Sequence, residues 1–220
     1  MMTRKWTALV VAVGLVASVA TTALAASVPG SVYSDSQAVG ANKSDSQVAQ
    51  DLAKAGIKDV SADNYAAGAI TVLVESGLMA PDANGNFNPD AQLTAGDGVA
   101  VFAKVLGIAS KTDSNEVALA KAQQAGIARG SLTAATALRR NEVARLLATA
   151  LGIEPKTVTG PDNYPFSDYA NTDPADRGVL AALYEVGVFK GYEDKSFKPD
   201  NVLTRAEIAI LVDRILGAKH

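Results

Sequence analysis

Along this chain, stretches whose apolar residues recur every three or four positions alternate with stretches rich in Gly, Pro, Asp, Asn and Ser. That is the pattern of short amphipathic helices joined by turn-rich loops. Val48, Leu52 and Ala55 share one face of a helix expected over 44–56, with Gly56 as its stop. Ile70, Leu73 and Val74 mark a second helix, ending at Gly77-Leu78, and Val101, Phe102, Val105 and Leu106 a third. Leu119 and Ala122 lead to Gly126-Ile127, and Val143, Leu146, Leu147 and Leu151 follow. A last pair has Val179, Leu180, Leu183 and Val186 before Gly187-Val188, and Ile208, Leu211, Val212, Ile215 and Leu216 after it.

The elements repeat at fixed spacing. Gly77 to Leu93 and Gly187 to Leu203 are both 16 residues, and Pro89 to Leu93 and Pro199 to Leu203 are both 4. The middle copy is shorter, with 12 residues from Gly126 to Leu138, and it has lost the Phe-x-Pro turn. One helix-loop-helix unit cannot bury both of its apolar faces, so the units must stack around a shared core. The expected fold is therefore all-α, with three helix-loop-helix copies over 57–109, 110–154 and 155–220. They follow a linker or loosely ordered arm at 26–56 that contains the short first helix. Thr204 and Glu207 form a capping box at the start of the last helix, worth about 1 kcal/mol. Thr94 and Asp97 imitate it, and Arg139 with Glu142 keeps only the acidic half.

Composition removes whole classes of chemistry. With no Cys and a single His at position 220, thiol nucleophiles, zinc–thiolate sites, multi-histidine metal sites and a Ser-His-Asp triad are excluded. Arg4 and Lys5, the apolar run Trp6 to Ala20 and the small-x-small Ala23-Leu24-Ala25 read as an export signal over 1–25. The run is too short to cross a bilayer, so no transmembrane span is expected after processing. Lys and Arg number 20 against 23 Asp and Glu, and the signal carries basic residues only, so the processed chain is acidic and a poor partner for nucleic acid. Asp82-Ala83-Asn84-Gly85-Asn86 resembles a calcium loop, but its sixth position is Phe87 and its twelfth Leu93. No metal or cofactor is expected. The acidic, proline-containing stretch from Asp162 to Asp176 reads as a polar loop rather than a glycosidase carboxylate pair, and the chain is not expected to be an enzyme.

The motifs resemble the S-layer homology family. Its pattern runs from aromatic-x-Asp through an apolar helix to Gly-Ile-x-x-Gly-Tyr, Phe-x-Pro and Leu-Thr-Arg-Ala-Glu. The third copy matches best, with Phe166-Ser167-Asp168, Gly187-Val188, Gly191-Tyr192, Phe197-Lys198-Pro199 and Thr204-Arg205-Ala206-Glu207. The first copy has Ile57-Lys58-Asp59-Val60 and Tyr65-Ala66, but Ala95 replaces the arginine and Pro81-Asp82 the Gly-Tyr. The second keeps Gly130 and Arg140. The resemblance implies a pseudo-threefold bundle whose inter-copy grooves bind a secondary cell-wall polysaccharide bearing pyruvate ketals, at the surface of an exporting cell. By the same analogy Arg205 is the leading ligand contact, Asp168 accepts sugar hydroxyls or braces the groove, Gly191 admits the sugar to the backbone and Tyr192 packs against it. Arg140 would serve a second groove as Arg205 serves the third. Plainer readings stand beside these: Arg205 as a solvated helix-start charge, Asp168 as a helix cap, Tyr192 as core, and Arg140 as a surface residue whose groove lost its loop. The alternative function is a structural protein of the cell surface whose degenerate copies mediate contacts with other envelope proteins or with itself.

Overall fold

The computed structural model of the chain describes residue 40 and residues 43–217. The export signal, most of the arm and His220 lie outside the described residues. A first helix, α1 (Asp45–Lys54), precedes three helix pairs: α2 (Ala67–Glu75) with α3 (Ala95–Val105), α4 (Asn115–Gln124) with α5 (Arg140–Leu151), and α6 (Pro174–Glu185) with α7 (Arg205–Gly217). Among the described residues there is no strand, only three isolated β-bridges. Ser44 caps α1 as the hydroxyl acceptor for the Gln47 amide, and the helix buries Val48 and Leu52.

The three pairs are tied together at their centre by backbone. Leu93, Leu138 and Leu203, one from each pair, have no exposed surface. The Leu93 amide donates to the Leu203 carbonyl (2.7 Å), the Leu203 amide to Leu138 (3.0 Å), and the Leu138 amide to Leu93 (2.9 Å). The three bonds close a ring. A buried peptide group left unpaired costs more than a made bond returns, so the ring resists the removal of any one pair.

Next to the ring each pair caps another. The first amides of a helix have no partner within it. Arg205 and Ala206 donate theirs to the carbonyls of Ala91 (3.0 Å) and Pro89 (2.9 Å) in the first pair's loop. Arg140 and Asn141 donate to Asn201 (2.9 Å) and Pro199 (3.0 Å) in the third loop, and Ala95 and Gly96 to Thr136 (2.7 Å) and Ala134 (3.0 Å) in the second. Every second helix therefore begins on the loop of a different pair.

Two of those loops, the first and the third, are each shaped by one carboxylate. Asp59 accepts from the amides of Phe87 and Asn88, both at 2.7 Å, and Asp168 from those of Phe197 (3.0 Å) and Lys198 (2.8 Å). Asn88 and Lys198 consequently sit at matching positive φ, 56° and 55°, and Phe87 and Phe197 are driven fully into the core. The reading of Asp168 as a helix cap is corrected: it makes no cap hydrogen bond to the short 3-10 turn that follows it.

The arm also departs from expectation, because its last part is held. The Gly40 amide donates to both oxygens of Asp213 on α7 (3.0 and 2.9 Å), and Asp213 is 2% exposed. Lys43 bridges Asp51 (2.6 Å) and Thr71 (3.2 Å), joining the arm to α1 and α2. Gly40 and Gly68 lie backbone to backbone, and a Cβ on Gly40 would fall 2.3 Å from the Gly68 carbonyl carbon. Gly40→Ala should therefore destabilise the protein by about 2 kcal/mol through overpacking. Gly130→Ala, whose added Cβ meets nothing, should leave the melting temperature nearly unchanged; differential scanning calorimetry of the two checks the contrast.

Candidate functional site

Because each second helix starts on another pair's loop, the side chain at its first position crosses the junction. Three junctions result, and they differ.

At the junction of the third and first pairs stands Arg205. Its Nε donates to the Phe87 carbonyl (2.7 Å) and Nη2 to the Ala80 carbonyl (3.1 Å). The Asp97 carboxylate lies 3.6 Å from Nη1, and the guanidinium sits 4.7 Å from the Phe87 ring centre. The side chain is 16% exposed, so part of the donor fork faces solvent. Burial lowers its pKa while Asp97, Asp59 and Asp82 raise it; an arginine starts so far above neutrality that it stays charged.

At the junction of the second and third pairs Arg140 makes the corresponding reach. Its Nε donates to the Phe197 carbonyl (2.8 Å) and Nη1 to Glu207 Oε1 (3.1 Å). Three aromatic rings surround the guanidinium, with centroids at 4.5 Å (Tyr192), 4.9 Å (Phe197) and 5.4 Å (Phe189). Cation–π attraction is strongest where water is excluded, and the side chain is only 7% exposed. The Tyr192 hydroxyl donates to Glu207 Oε1 (2.7 Å), and Lys198 Nζ lies 4.4 Å from the centre of the Tyr192 ring. Where Tyr192 covers Arg140, the first pair offers Asp82, which is why Arg205 is the more open of the two.

The third junction, between the first and second pairs, has no arginine. Ala95 occupies the position, fully buried, and a Cβ on Gly96 would come within 2.9 Å of the Ala134 carbonyl oxygen. Within the second pair itself, a pocket of about 180 Å³ is lined by Gly126, Arg129, Leu132, Glu142 and Arg145, among others.

The residues singled out in the third copy thus do not form one site. Tyr192 lies against Arg140 of the second pair, and Asp168 shapes the loop whose Phe197 carbonyl holds that arginine, whereas Arg205 serves the first pair's loop. The expectation that Arg140 is a surface residue is corrected: it is buried against the intact third loop, not the shortened second one. The missing arginine at Ala95 and the shortened loop, which look like independent losses in sequence, face each other across one junction. Gly191, at φ +77°, gives close approach to the protein's own groups, since a Cβ would lie 2.9 Å from Phe166 and from the Ser196 carbonyl oxygen. The Thr204–Glu207 capping box is present, with the Thr204 amide on Glu207 Oε2 (2.8 Å) and the Glu207 amide on Thr204 Oγ1 (3.2 Å). Sequence reasoning placed Asp59 in the first copy's motif and Asp97 in a cap, but missed the contacts they make, Asp59 with the Phe87 and Asn88 amides and Asp97 near Arg205, and missed the second carboxylate oxygen of Glu207. Asp59 had a signal in its alignment with Asp168; the other two act across junctions that no local pattern reveals.

Comparison with known proteins follows this division. The S-layer homology domain family model matches residues 56–96 and 165–209, the stretches holding the two intact loops. The chain is 28% identical over 169 residues to the surface-layer 125 kDa protein of Lysinibacillus sphaericus, covering 69% of this chain and 14% of that protein. It is 36% identical over 93 residues to a surface layer protein of Brevibacillus choshinensis, covering 42% of this chain and 8% of the relative. It is 37% identical over 83 residues to cell surface glycoprotein 1 of Acetivibrio thermocellus, covering 38% and 4%. The chain thus spans 14% or less of the length of these relatives.

Burial, then the hydrogen bond to Glu207, pushes the Tyr192 hydroxyl up to about 12, and burial does the same to Tyr164. An unfolded tyrosine titrates near 10, so the folded state holds these protons more tightly. The stability this contributes is complete below pH 10 and is lost as pH rises toward 12. Tyr192→Phe should cost about 1 kcal/mol at pH 7 through the lost hydrogen bond, yet show a shallower decline of stability between pH 10 and 12 in urea unfolding.

Proposed function

We propose that the chain, whose residues 56–96 and 165–209 match the S-layer homology domain model, is an exported, non-catalytic anchor. It is held at the cell surface by binding a secondary cell-wall polysaccharide, in pyruvylated form, in the grooves between helix pairs. The ring of Leu93, Leu138 and Leu203 supports a pseudo-threefold arrangement of the pairs. The grooves are the two junctions that keep an arginine. The observation that carries the reading is Arg205: two of its nitrogens are held by the carbonyls of Phe87 and Ala80, while part of its fork remains open beside the loop. A guanidinium fixed in this way presents paired donors to a carboxylate such as that of a pyruvate ketal. Its orientation is set before the ligand arrives, which lowers the entropic cost of binding.

A second reading draws on the third junction, where Ala95 leaves no guanidinium and the short loop packs closely against Gly96. There the degenerate copies serve contacts with envelope proteins or with a second copy of the chain. Its signature is self-association that ignores the polysaccharide.

The deciding experiment is co-sedimentation of the protein with cell-wall sacculi before and after chemical removal of their non-peptidoglycan polymer. Binding should require the polymer and fall about tenfold or more in Arg205→Ala, the scale of one lost charge-assisted contact, while circular dichroism shows the variant folded. Binding that survives removal of the polymer, or a protein that stays in solution, sinks the proposal.

A further inference from the structure

We infer that Glu207 is a positioning residue for the neighbouring pair's Arg140, beyond its part in the helix cap; this rests on reading the junctions as polymer grooves. Capping employs only one of its carboxylate oxygens, Oε2, which accepts the Thr204 amide (2.8 Å). The other, Oε1, reaches out of its own helix pair and accepts from Arg140 Nη1 (3.1 Å) and from the Tyr192 hydroxyl (2.7 Å). The Arg140 fork is thereby fixed at three points: the Phe197 carbonyl at Nε, Glu207 at Nη1 and the Tyr192 ring across its face. What remains of it to meet a ligand is one narrow edge, whose direction Glu207 sets.

The other two junctions supply a graded comparison. At the corresponding position of α3, Asp97 is one methylene shorter. It approaches Arg205 only to 3.6 Å and spends Oδ1 on the Asn115 side chain (2.9 Å). At the corresponding position of α5, Glu142 makes the same cap as Glu207, its Oε2 accepting the Arg139 amide at 3.0 Å, but Ala95 gives it no guanidinium to hold. Glu207 and Glu142 therefore share the capping duty and differ in the duty across the junction. A purely local role would make them equivalent.

Glu207→Gln and Glu142→Gln separate the two duties, because the amide oxygen of glutamine still accepts the cap hydrogen bond. Both variants, Arg140→Lys and the double variant Arg140→Lys/Glu207→Gln are compared by melting temperature and by affinity for purified non-peptidoglycan wall polymer. Glu142→Gln should bind within twofold of the unaltered protein. Glu207→Gln should bind about tenfold more weakly, the loss expected for one charge-assisted hydrogen bond, and the double variant should bind no worse than Arg140→Lys alone, since the two residues act as a unit. Equal affinities for Glu207→Gln and Glu142→Gln, or additive losses in the double variant, overturn the inference. If the unaltered protein binds no polymer, the proposed function falls instead. The melting temperatures of the same four variants then decide the coupling alone, additivity counting against it.

Discussion

Everything in this molecule depends on the closed ring of backbone hydrogen bonds among Leu93, Leu138 and Leu203. Each leucine stands immediately before the start of a second helix, so closing the ring also aims three helix N-termini at three neighbouring loops. The orphan amides of those helices find their acceptors there, on Pro89 and Ala91, Ala134 and Thr136, and Pro199 and Asn201. A helix N-terminus is often available to an anion; here the first two amides of each second helix are consumed internally. The cationic groups at the junctions are therefore side chains, Arg140 and Arg205.

The helix pairs were legible in the sequence because apolar periodicity, Gly stops and the repeated spacing all pointed the same way. The capping box at Thr204 and Glu207 was legible for a similar reason, being a local interaction between residues three apart. The pairing of site residues was not. Sequence places Arg205 beside Gly191 and Tyr192 within one copy, whereas the ring rotates each arginine onto another copy's loop. Arg140 and Tyr192 are 52 positions apart in sequence and 4.5 Å apart, measured from guanidinium to ring centre. Only the closure of the ring brings them together, and no local pattern encodes it. The held end of the arm was hidden in the same way, since Gly40 reads as a linker glycine until Gly68 and Asp213 are seen against it.

The three junctions also show how a repeated architecture degenerates. The missing arginine of the first copy and the shortened loop of the second meet across one seam, where the Ala95 and Gly96 amides donate to the Thr136 and Ala134 carbonyls. With no guanidinium at position 95 there is no cation for a Phe-x-Pro loop to hold, and the shorter loop can close against Gly96. Where the first copy has Asp82 in place of the tyrosine, Arg205 keeps only the Phe87 ring beside its guanidinium and is the more exposed of the two arginines. The chain thus carries a closed seam, a covered guanidinium and an open one on the same backbone frame.

The central claim is that polymer is met by guanidinium groups at the junctions. The most direct test is an NMR titration of the protein with purified non-peptidoglycan wall polymer, following the Nε–Hε resonances of its arginines. Shifts at Arg205 and Arg140, accompanied by amide shifts in the loops 80–91 and 190–201, are the predicted result. Saturable polymer binding that leaves both arginine resonances unmoved would contradict the account.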